Sequence, residues 1–310
     1  MEARLANPRG FCAGVDRAIE IVKEALELYG RPVYVLHEIV HNKHVLEDLS
    51  QRGAVFVENL GEVPEGSVTI YSAHGVSDGI VLEGKSRNLR VIDATCPLVT
   101  KVHNQAGRYA REGREIVLIG HPGHPEVEGT RGRIEGKVHV LSTREEVEAL
   151  EIENPRMLAY VTQTTLSVDD TRATIDALME RFPDIQGPNL RDICYATQNR
   201  QNAVREMTPE IDVLIVVGSA NSSNSSRLRE LGERGGIPAY LVDDPNQIQD
   251  EWLSGKQCVG VTAGASAPEE LVAKIMTRLE ELGVSGVQEM DGEPEDVVFQ
   301  MPKELGSHKD

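Results

Sequence analysis

The apolar positions of this 310-residue chain follow two spacings that take turns along most of its length. Short apolar runs such as 213–217 are typical of buried strands. Apolar residues three and four positions apart, as in segment 15–29, are typical of a helix, and Gly30 is a residue type that commonly ends one. Because strand and helix patterns follow each other in turn, the chain predicts an α/β fold with parallel sheets.

This alternation occurs three times, and each repeat has a cysteine at the same point. Cys12, Cys96 and Cys194 each follow a short segment that we predict to be extended: 4–7, 90–93 and 191–193. A helical pattern follows each cysteine, and it is weakest after Cys194. Second strands are predicted at 33–36, 115–119 and 212–217, and third strands at 68–72, 158–162 and 257–262.

Polar residues follow these strands at similar distances from the cysteine of the same repeat. They are His41, His124, Glu126, Ser222 and Asn224 after the second strands, and His74, Thr164 and Ser266 after the third. Ligands bind beyond the carboxyl ends of parallel strands, so a pseudo-threefold arrangement would bring the cysteines and these loops to one centre. The spacing also permits a plainer interpretation, in which three α/β lobes share only the common strand-helix order.

Composition narrows the possible functions. Four cysteines in a chain without a recognisable secretory segment favour a metal or redox role over a disulfide framework. The net charge of -18 would repel nucleic acid phosphates. No apolar run approaches the ~20 residues that span a bilayer, so we expect a cytoplasmic protein without a membrane partner.

The wide separation of the cysteines along the sequence favours an iron-sulfur cluster over zinc. Structural zinc sites usually use close C-x2-C pairs, and this sequence has none. Three thiolates would leave one iron of a cubane open, and an open metal position can act as a Lewis acid. Cys258 lies inside an apolar strand pattern and is predicted to be a core residue.

The polar loops indicate an anion site. Histidine, serine and asparagine donors on loops that lead into helices suit a phosphate group, and the absence of G-x-x-x-x-G-K-[ST] and G-x-G-x-x-G motifs disfavours nucleotides. Glu126 is the one carboxylate among these loop positions and would be the proton donor. Each of these residues could also be an ordinary buried or solvated side chain.

Several long motifs resemble one family. They are N-P-R-G-F-C-A-G-V at 7–15, H-E-I-V-H-N at 37–42, A-H-G-V-S at 73–77, D-A-T-C-P-L-V at 93–99, G-H-P-G-H-P-E-V-E-G-T at 120–130, T-Q-T-T-L-S at 162–167 and S-S-N-S at 222–225. The chain resembles the 4-hydroxy-3-methylbut-2-enyl diphosphate reductases from about residue 4 to the V-F-Q-M-P-K-E-L segment near its end.

The resemblance implies a trefoil of three α/β lobes around one 4Fe-4S cluster, with lobes at 14–96, 97–193 and 194–281 (joined by 1–13) and a tail at 282–310. It implies cluster ligands Cys12, Cys96 and Cys194, with one iron not ligated by cysteine. It implies substrate-binding residues His41, His74, His124, Thr164, Thr165, Ser222, Ser223, Asn224 and Ser266. Glu126, Thr164 and His124 would be the catalytic residues.

The implied reaction is the last step of non-mevalonate isoprenoid synthesis. Two electrons and two protons convert an allylic alcohol diphosphate to isopentenyl and dimethylallyl diphosphates plus water, and a ferredoxin or flavodoxin would donate the electrons. Three rival functions fit the residues less fully: a hydratase or dehydratase with a non-redox cluster, a zinc or cysteine hydrolase of phosphate esters, and a metal-storing or regulatory protein.

Overall fold

The computed structural model describes residues 1–292 and 294–306. In these residues the chain forms twelve strands: β1 Glu2–Leu5, β2 Val33–Leu36, β3 Ala54–Val57, β4 Val68–Tyr71, β5 Arg90–Asp93, β6 Glu115–Ile119, β7 Val138–Leu141, β8 Leu158–Thr162, β9 Val213–Val217, β10 Ala239–Val242, β11 Cys258–Ala263 and β12 Gly286–Glu289. Most of the strands predicted from the apolar runs are present within about one residue of the expected ends, but β1 lies two residues before the predicted 4–7.

The same residues form eleven α-helices: α1 Ala13–Tyr29, α2 Lys43–Arg52, α3 Asp78–Ser86, α4 Pro97–Arg111, α5 Pro125–Arg131, α6 Val168–Arg181, α7 Tyr195–Met207, α8 Ser223–Arg234, α9 Asp250–Leu253, α10 Glu269–Glu281 and α11 Lys303–Gly306. No helix in this part of the chain combines the length and the apolar character needed to cross a bilayer.

The twelve strands of the described residues form three sheets, and every pairing is parallel, as the alternation of strands and helices predicts. The strand orders are β10-β9-β11-β1-β12, β3-β2-β4-β5 and β7-β6-β8. The prediction of an α/β fold with three small parallel sheets is confirmed.

The chain divides into two compact units. The five-stranded unit contains Met1–Val15, His41–Val45 and Tyr195–Val298, and the two-sheet unit contains Asp16–Val40, Leu46–Cys194 and Phe299–Asp310. The three lobes with boundaries at 96–97 and 193–194 stay a prediction, as does the tail at 282–310, of which residues 293 and 307–310 lie outside the described residues.

The five-stranded sheet is covered by helices on both faces, which explains the continuous apolar run of β9. All five residues of β9 are buried. Alternate residues belong to a cluster with Leu271 and Ile275 of α10, and the residues between them belong to a cluster with Val204 of α7 and Leu228 of α8. Each such burial stabilises the fold by roughly 1.5–3 kcal/mol. Cys258, predicted to be a core residue, is only partly buried and packs against the second cluster.

The three-stranded sheet of the two-sheet unit is packed in the same manner. Val117 and Ile119 of β6 cluster with Ile175 of α6, whereas Ile116 and Leu118 cluster with α4 and α5 on the opposite face. Since strand side chains alternate between faces, the apolar pattern of β6 is satisfied only by this double cover. The carboxyl ends of the strands are left for the polar loops.

The third repeat departs from the prediction on both sides of Cys194. Residues 191–193 form a turn and not a strand, because the Ile193 amide donates to the Leu190 carbonyl at 3.2 Å. The helix predicted to be weakest, α7, is a full 13 residues long. Its buried face includes the charged residue Arg200, which a pattern of apolar positions counts as exposed.

Candidate active site

Each repeat holds its cysteine by the same backbone hydrogen bond. The cysteine amide donates to a carbonyl in the loop after the third strand of the repeat: Cys96 to Ala73 at 2.9 Å, Cys194 to Thr164 at 3.1 Å, and Cys12 to Ala265 at 3.2 Å. The first two bonds lie in the two-sheet unit and the third in the five-stranded unit. Each acceptor is a predicted ligand residue or its neighbour, so the sequence repeat corresponds to a repeated local structure.

The three cysteines have the chemistry that an iron-sulfur cluster requires of its ligands. None of the four cysteines forms a disulfide with another described residue, and Cys12, Cys96 and Cys194 are partly buried and lie directly before α1, α4 and α7. A helix N-terminus favours a thiolate. Burial raises the pKa of the Cys12 thiol, and hydrogen bonds from the amides of Val15 and Gly14 oppose that effect. Amide donors to sulfur are among the features that tune a bound cluster.

In the described part of the chain, no three histidine, cysteine, aspartate or glutamate side chains gather closely enough to hold a single metal ion. A cluster distributes its thiolates over separate iron atoms, so its ligands need not converge on one point.

Glu126 is a buried carboxyl that Thr164 holds from two directions. The Thr164 amide donates to Glu126 Oε1 at 2.7 Å, and the Thr164 hydroxyl donates to Oε2 at 3.0 Å. Glu126 is the second residue of α5, and it is only 2% exposed. Because the same Thr164 accepts the Cys194 amide, the carboxyl and the cysteine loop are fixed by one residue.

The surroundings of Glu126 favour its neutral form. Burial raises its pKa from an ordinary 4.5 to about 7, the bonds from Thr164 act against this rise, and the charge of Asp192 adds to it. Asp192 is itself buried, accepts from the Thr162 amide at 3.3 Å and lies 3.7 Å from Lys101 Nζ. Burial likewise raises the pKa of Asp192 to about 6.

One predicted histidine bonds to the backbone of Glu126, and a second packs against the ring of the first. The His124 Nδ1 atom accepts from the Glu126 amide at 3.1 Å, so the proton of a neutral ring lies on Nε2. The rings of His74 and His124 meet edge to face with centroids 6.0 Å apart. Helix α5 lies close to the loop at Gly75 because Gly129 has no side chain. A Cβ atom on Gly129 would lie 3.0 Å from the Gly75 carbonyl oxygen.

Gln163 connects the loop between β6 and α5 to the loop that follows β8. Its amide nitrogen donates to the Thr165 hydroxyl at 2.9 Å, and its Oε1 accepts from the His121 amide at 3.0 Å. Gln163 is 1% exposed. The Thr165 hydroxyl thus helps to fix the loop by accepting this hydrogen bond.

In the five-stranded unit, Ser266 and His41 are joined directly. The Ser266 hydroxyl donates to the His41 carbonyl at 2.9 Å, while the neighbouring Lys43 amide donates to the Ser219 hydroxyl at 3.3 Å. The Ser266 hydroxyl has one rotatable O–H, so it can donate to a ligand once that O–H turns away from the His41 carbonyl.

The start of α8 carries the remaining predicted donors. Ser222 caps the helix, since its hydroxyl accepts from the Ser225 amide at 3.3 Å. Ser223 and Asn224 are the first two residues of the helix. Asn224 is 4% exposed, and neither its amide nitrogen nor its amide oxygen has a partner among the described residues. An unsatisfied buried polar group costs roughly 1–3 kcal/mol, so this side chain is suited to a ligand that would satisfy it.

The predicted residues are therefore shared between the units. The two-sheet unit holds Cys96, Cys194, His74, His124, Glu126, Thr164 and Thr165, and the five-stranded unit holds Cys12, His41, Ser222, Ser223, Asn224 and Ser266. Pattern reasoning missed Asp192, Gln163 and Arg200. Asp192 carried one signal: like Asp93, it is an acidic residue just before a cysteine of the repeat.

Comparison with known sequences identifies the family of this chain. The profile described as LytB protein matches residues 3–280. A protein from Stenotrophomonas maltophilia (strain K279a), named 4-hydroxy-3-methylbut-2-enyl diphosphate reductase, is 59% identical over 310 residues, which cover 98% of each chain. A protein of the same name from Azoarcus sp. (strain BH72) is 60% identical over 304 residues, covering 98% of this chain and 97% of its own.

Two solved structures share the fold. The E-1-hydroxy-2-methyl-but-2-enyl-4-diphosphate reductase from Plasmodium falciparum superposes with a TM-score of 0.95 at 40% identity, covering 98% of this chain and 96% of its own. A structure of (E)-4-hydroxy-3-methyl-but-2-enyl diphosphate reductase gives a TM-score of 0.64 at 34% identity, covering 91% of this chain and 100% of its own. The extent of the profile match and the identity of these relatives show that this chain belongs to the LytB protein family.

Proposed function

We propose that this protein is a 4-hydroxy-3-methylbut-2-enyl diphosphate reductase, which removes the allylic hydroxyl of its substrate to give isopentenyl and dimethylallyl diphosphates. The C–O bond breaks, a C–H bond forms, two electrons and two protons are consumed, and the oxygen leaves as water. The observation that carries this proposal is the Glu126–Thr164 pair, a buried carboxyl fixed by two hydrogen bonds.

Glu126 is the proton donor in this proposal. Hydroxide is a poor leaving group, so proton delivery to the departing oxygen lowers the barrier. A carboxyl whose pKa burial raises to about 7 is partly protonated at neutral pH, and it can therefore give up a proton and recover one. Thr164 would pass the proton or hold the substrate hydroxyl, because its own hydroxyl is 3.0 Å from the carboxyl.

The diphosphate would be bound by neutral donors. The proposed donors are the side-chain amide of Asn224, the backbone at the start of α8, and the side chains of His41, His74, His124, Ser222, Ser223 and Ser266. Backbone N–H groups at a helix N-terminus favour an anion, and buried Asn224 would gain the partner that it lacks. Thr165 belongs to the same set through the T-Q-T-T motif.

The cofactor of this proposal is one 4Fe-4S cluster on Cys12, Cys96 and Cys194, with one iron not held by cysteine. When bound, it would supply the two electrons in single steps and the Lewis acidity of its open iron. An external one-electron donor, such as a ferredoxin or a flavodoxin, would restore the electrons. Cysteines that form no disulfide and a reducing donor both suit the cytoplasm, where we infer that the enzyme acts.

The test is turnover by anaerobically purified protein with a low-potential electron donor, with both products quantified by mass spectrometry. We expect a brown protein whose spin-resonance spectrum changes on substrate addition, and products that form only when the donor is present. Conversion without a donor would favour a hydratase or dehydratase. A colourless protein that releases phosphate would favour a hydrolase, and a coloured protein without turnover would favour metal storage.

A further inference from the structure

Arg200 on α7 is the largest side chain in the described residues that is completely buried. Its guanidinium reaches the loop before Cys12: Nε and Nη2 donate to the Gly10 carbonyl at 3.0 and 2.7 Å, and Nη2 also donates to the Phe11 carbonyl at 3.2 Å. These are the two peptide carbonyls that immediately precede Cys12. A planar group with a fixed fork of donors thus sets the orientation of both peptide planes.

The buried charge of Arg200 is balanced by a residue from the end of the chain. Glu295 accepts from Nη1 at 3.0 Å and from Nη2 at 3.2 Å, and it also accepts from the Asn199 amide at 3.0 Å. A buried guanidinium that met only carbonyls would carry an uncompensated charge, which is strongly destabilising. Glu295 therefore keeps Arg200 in place against the loop.

The same loop is tied to the end of β11 by its own amides. Gly10 has a φ of +66°, which favours glycine, and its amide donates to the Ala263 carbonyl at 3.2 Å. On the other side of Cys12, the Ala13 amide donates to the Tyr195 hydroxyl at 3.4 Å. Residues of α7 hold the loop on both sides of the cysteine, so the direction of Cys12 depends on that helix.

We propose that Arg200 and Glu295 are positioning residues that fix the backbone on which Cys12 is presented to its ligand, with the C-terminal segment supplying the counter-charge. This inference rests on the proposed function, in which Cys12 ligates the cluster. Arg200 acts through the carbonyls of Gly10 and Phe11, and Glu295 acts through Arg200.

The test compares Glu295→Ala and Glu295→Gln with Asp296→Asn, a matched control on the exposed neighbouring carboxylate. Backbone amide hydrogen exchange is measured on the anaerobically purified holoprotein, together with the rate of iron loss to a chelator. Loss of the counter-charge should speed exchange in the peptide that spans 9–13 by about tenfold or more, an amount typical of a local opening. Exchange in β9 should stay unchanged, and iron should leave several-fold faster.

Unchanged exchange at 9–13 in Glu295→Ala would overturn the proposal. Faster exchange throughout the five-stranded unit would also overturn it, because the pair would then support the whole unit and not the loop. Faster exchange without faster iron loss would contradict the link to the cluster. Iron content of Cys12→Ser distinguishes the causes: full iron there means that the ligand assignment failed, and lost iron means that the positioning role failed.

Discussion

Glu126 and Asn224 are both buried polar residues in the first turn of a helix, yet the protein treats them in opposite ways. Thr164 satisfies both oxygens of Glu126, at 2.7 and 3.0 Å, whereas the amide of Asn224 lacks a partner among the described residues. The carboxyl is held in one position before any substrate arrives. The asparagine is held only by its backbone and by the packing around it.

This difference matches the two tasks of the proposed enzyme. A group that transfers a proton must keep its geometry through the reaction, and hydrogen bonds from the protein provide that. A group that binds a charged ligand gains most when the ligand is its only partner, because no protein bond must be broken first. The free-energy cost of burying the unsatisfied amide of Asn224 is thus offset only when the ligand is bound.

The largest expected effect concerns the cysteines that the proposal assigns to the cluster. A cubane with three thiolates has no spare protein ligand, so Cys12→Ser, Cys96→Ser and Cys194→Ser should each lose most of the bound iron and nearly all activity. Cys258→Ser is the control and should keep both, since Cys258 is the partly buried first residue of β11 and is not a proposed ligand. Iron analysis after anaerobic purification decides the matter; full iron in any of the first three variants would contradict the assignment.

Next in size is the effect of Glu126→Gln, which keeps the shape of the side chain but cannot release a proton. Turnover should fall by roughly 10²- to 10⁴-fold, as for a lost general acid, while iron content and substrate affinity stay near normal. Glu128→Gln, on the exposed side of the same helix, should have little effect. A Glu126→Gln rate above about a tenth of the wild-type rate would move the proton source to His124 or solvent.

Asn224→Ala tests the binding side of the contrast. Substrate affinity should fall by roughly 10- to 100-fold, equivalent to ~1.5–3 kcal/mol for a hydrogen bond to a charged group. The free energy of unfolding without substrate should stay equal or rise, because the substitution removes an unsatisfied buried amide. Calorimetry and denaturant unfolding measure the two quantities. A destabilised free protein would show that Asn224 has a structural partner, and Ser226→Ala on the same helix serves as the control.

The smallest effect is the pH dependence of stability. The pKa of Glu126 is raised from 4.5 to about 7 in the fold, so the folded state binds more protons than the unfolded state between these values, and stability falls as pH rises through 7. Between pH 6 and 7 this carboxyl should lower the free energy of unfolding by about 1 kcal/mol. Glu126→Gln should remove that decrease and leave the parallel contribution of Asp192. An unchanged slope would mean that Glu126 is ionised in the fold.

Much of the fold could be read from local pattern. The helix that starts after Cys12 and ends before Gly30, the helix that follows Cys96, and the buried strand β9 all lie where the sequence pattern predicts them. Such patterns suffice because a parallel sheet covered on both faces demands continuous apolar strands and one-sided helices. The pattern failed around Cys194, where a turn at 191–193 depends on local hydrogen bonds and α7 buries a charged residue.

The candidate site also has features that the sequence predicts and features that depend on the fold. Residue types and their spacing were enough to select the three cysteines, the loop donors and Glu126, because these lie at equivalent points of a repeat in the chain. Spacing holds no information about burial by distant segments. The raised pKa of Glu126 comes from desolvation, Thr164 lies 38 positions away in the chain, and Arg200 meets Glu295 across 95 positions. These contacts arise only when the chain has folded, since burial and long-range pairing are properties of the packed molecule and not of any segment.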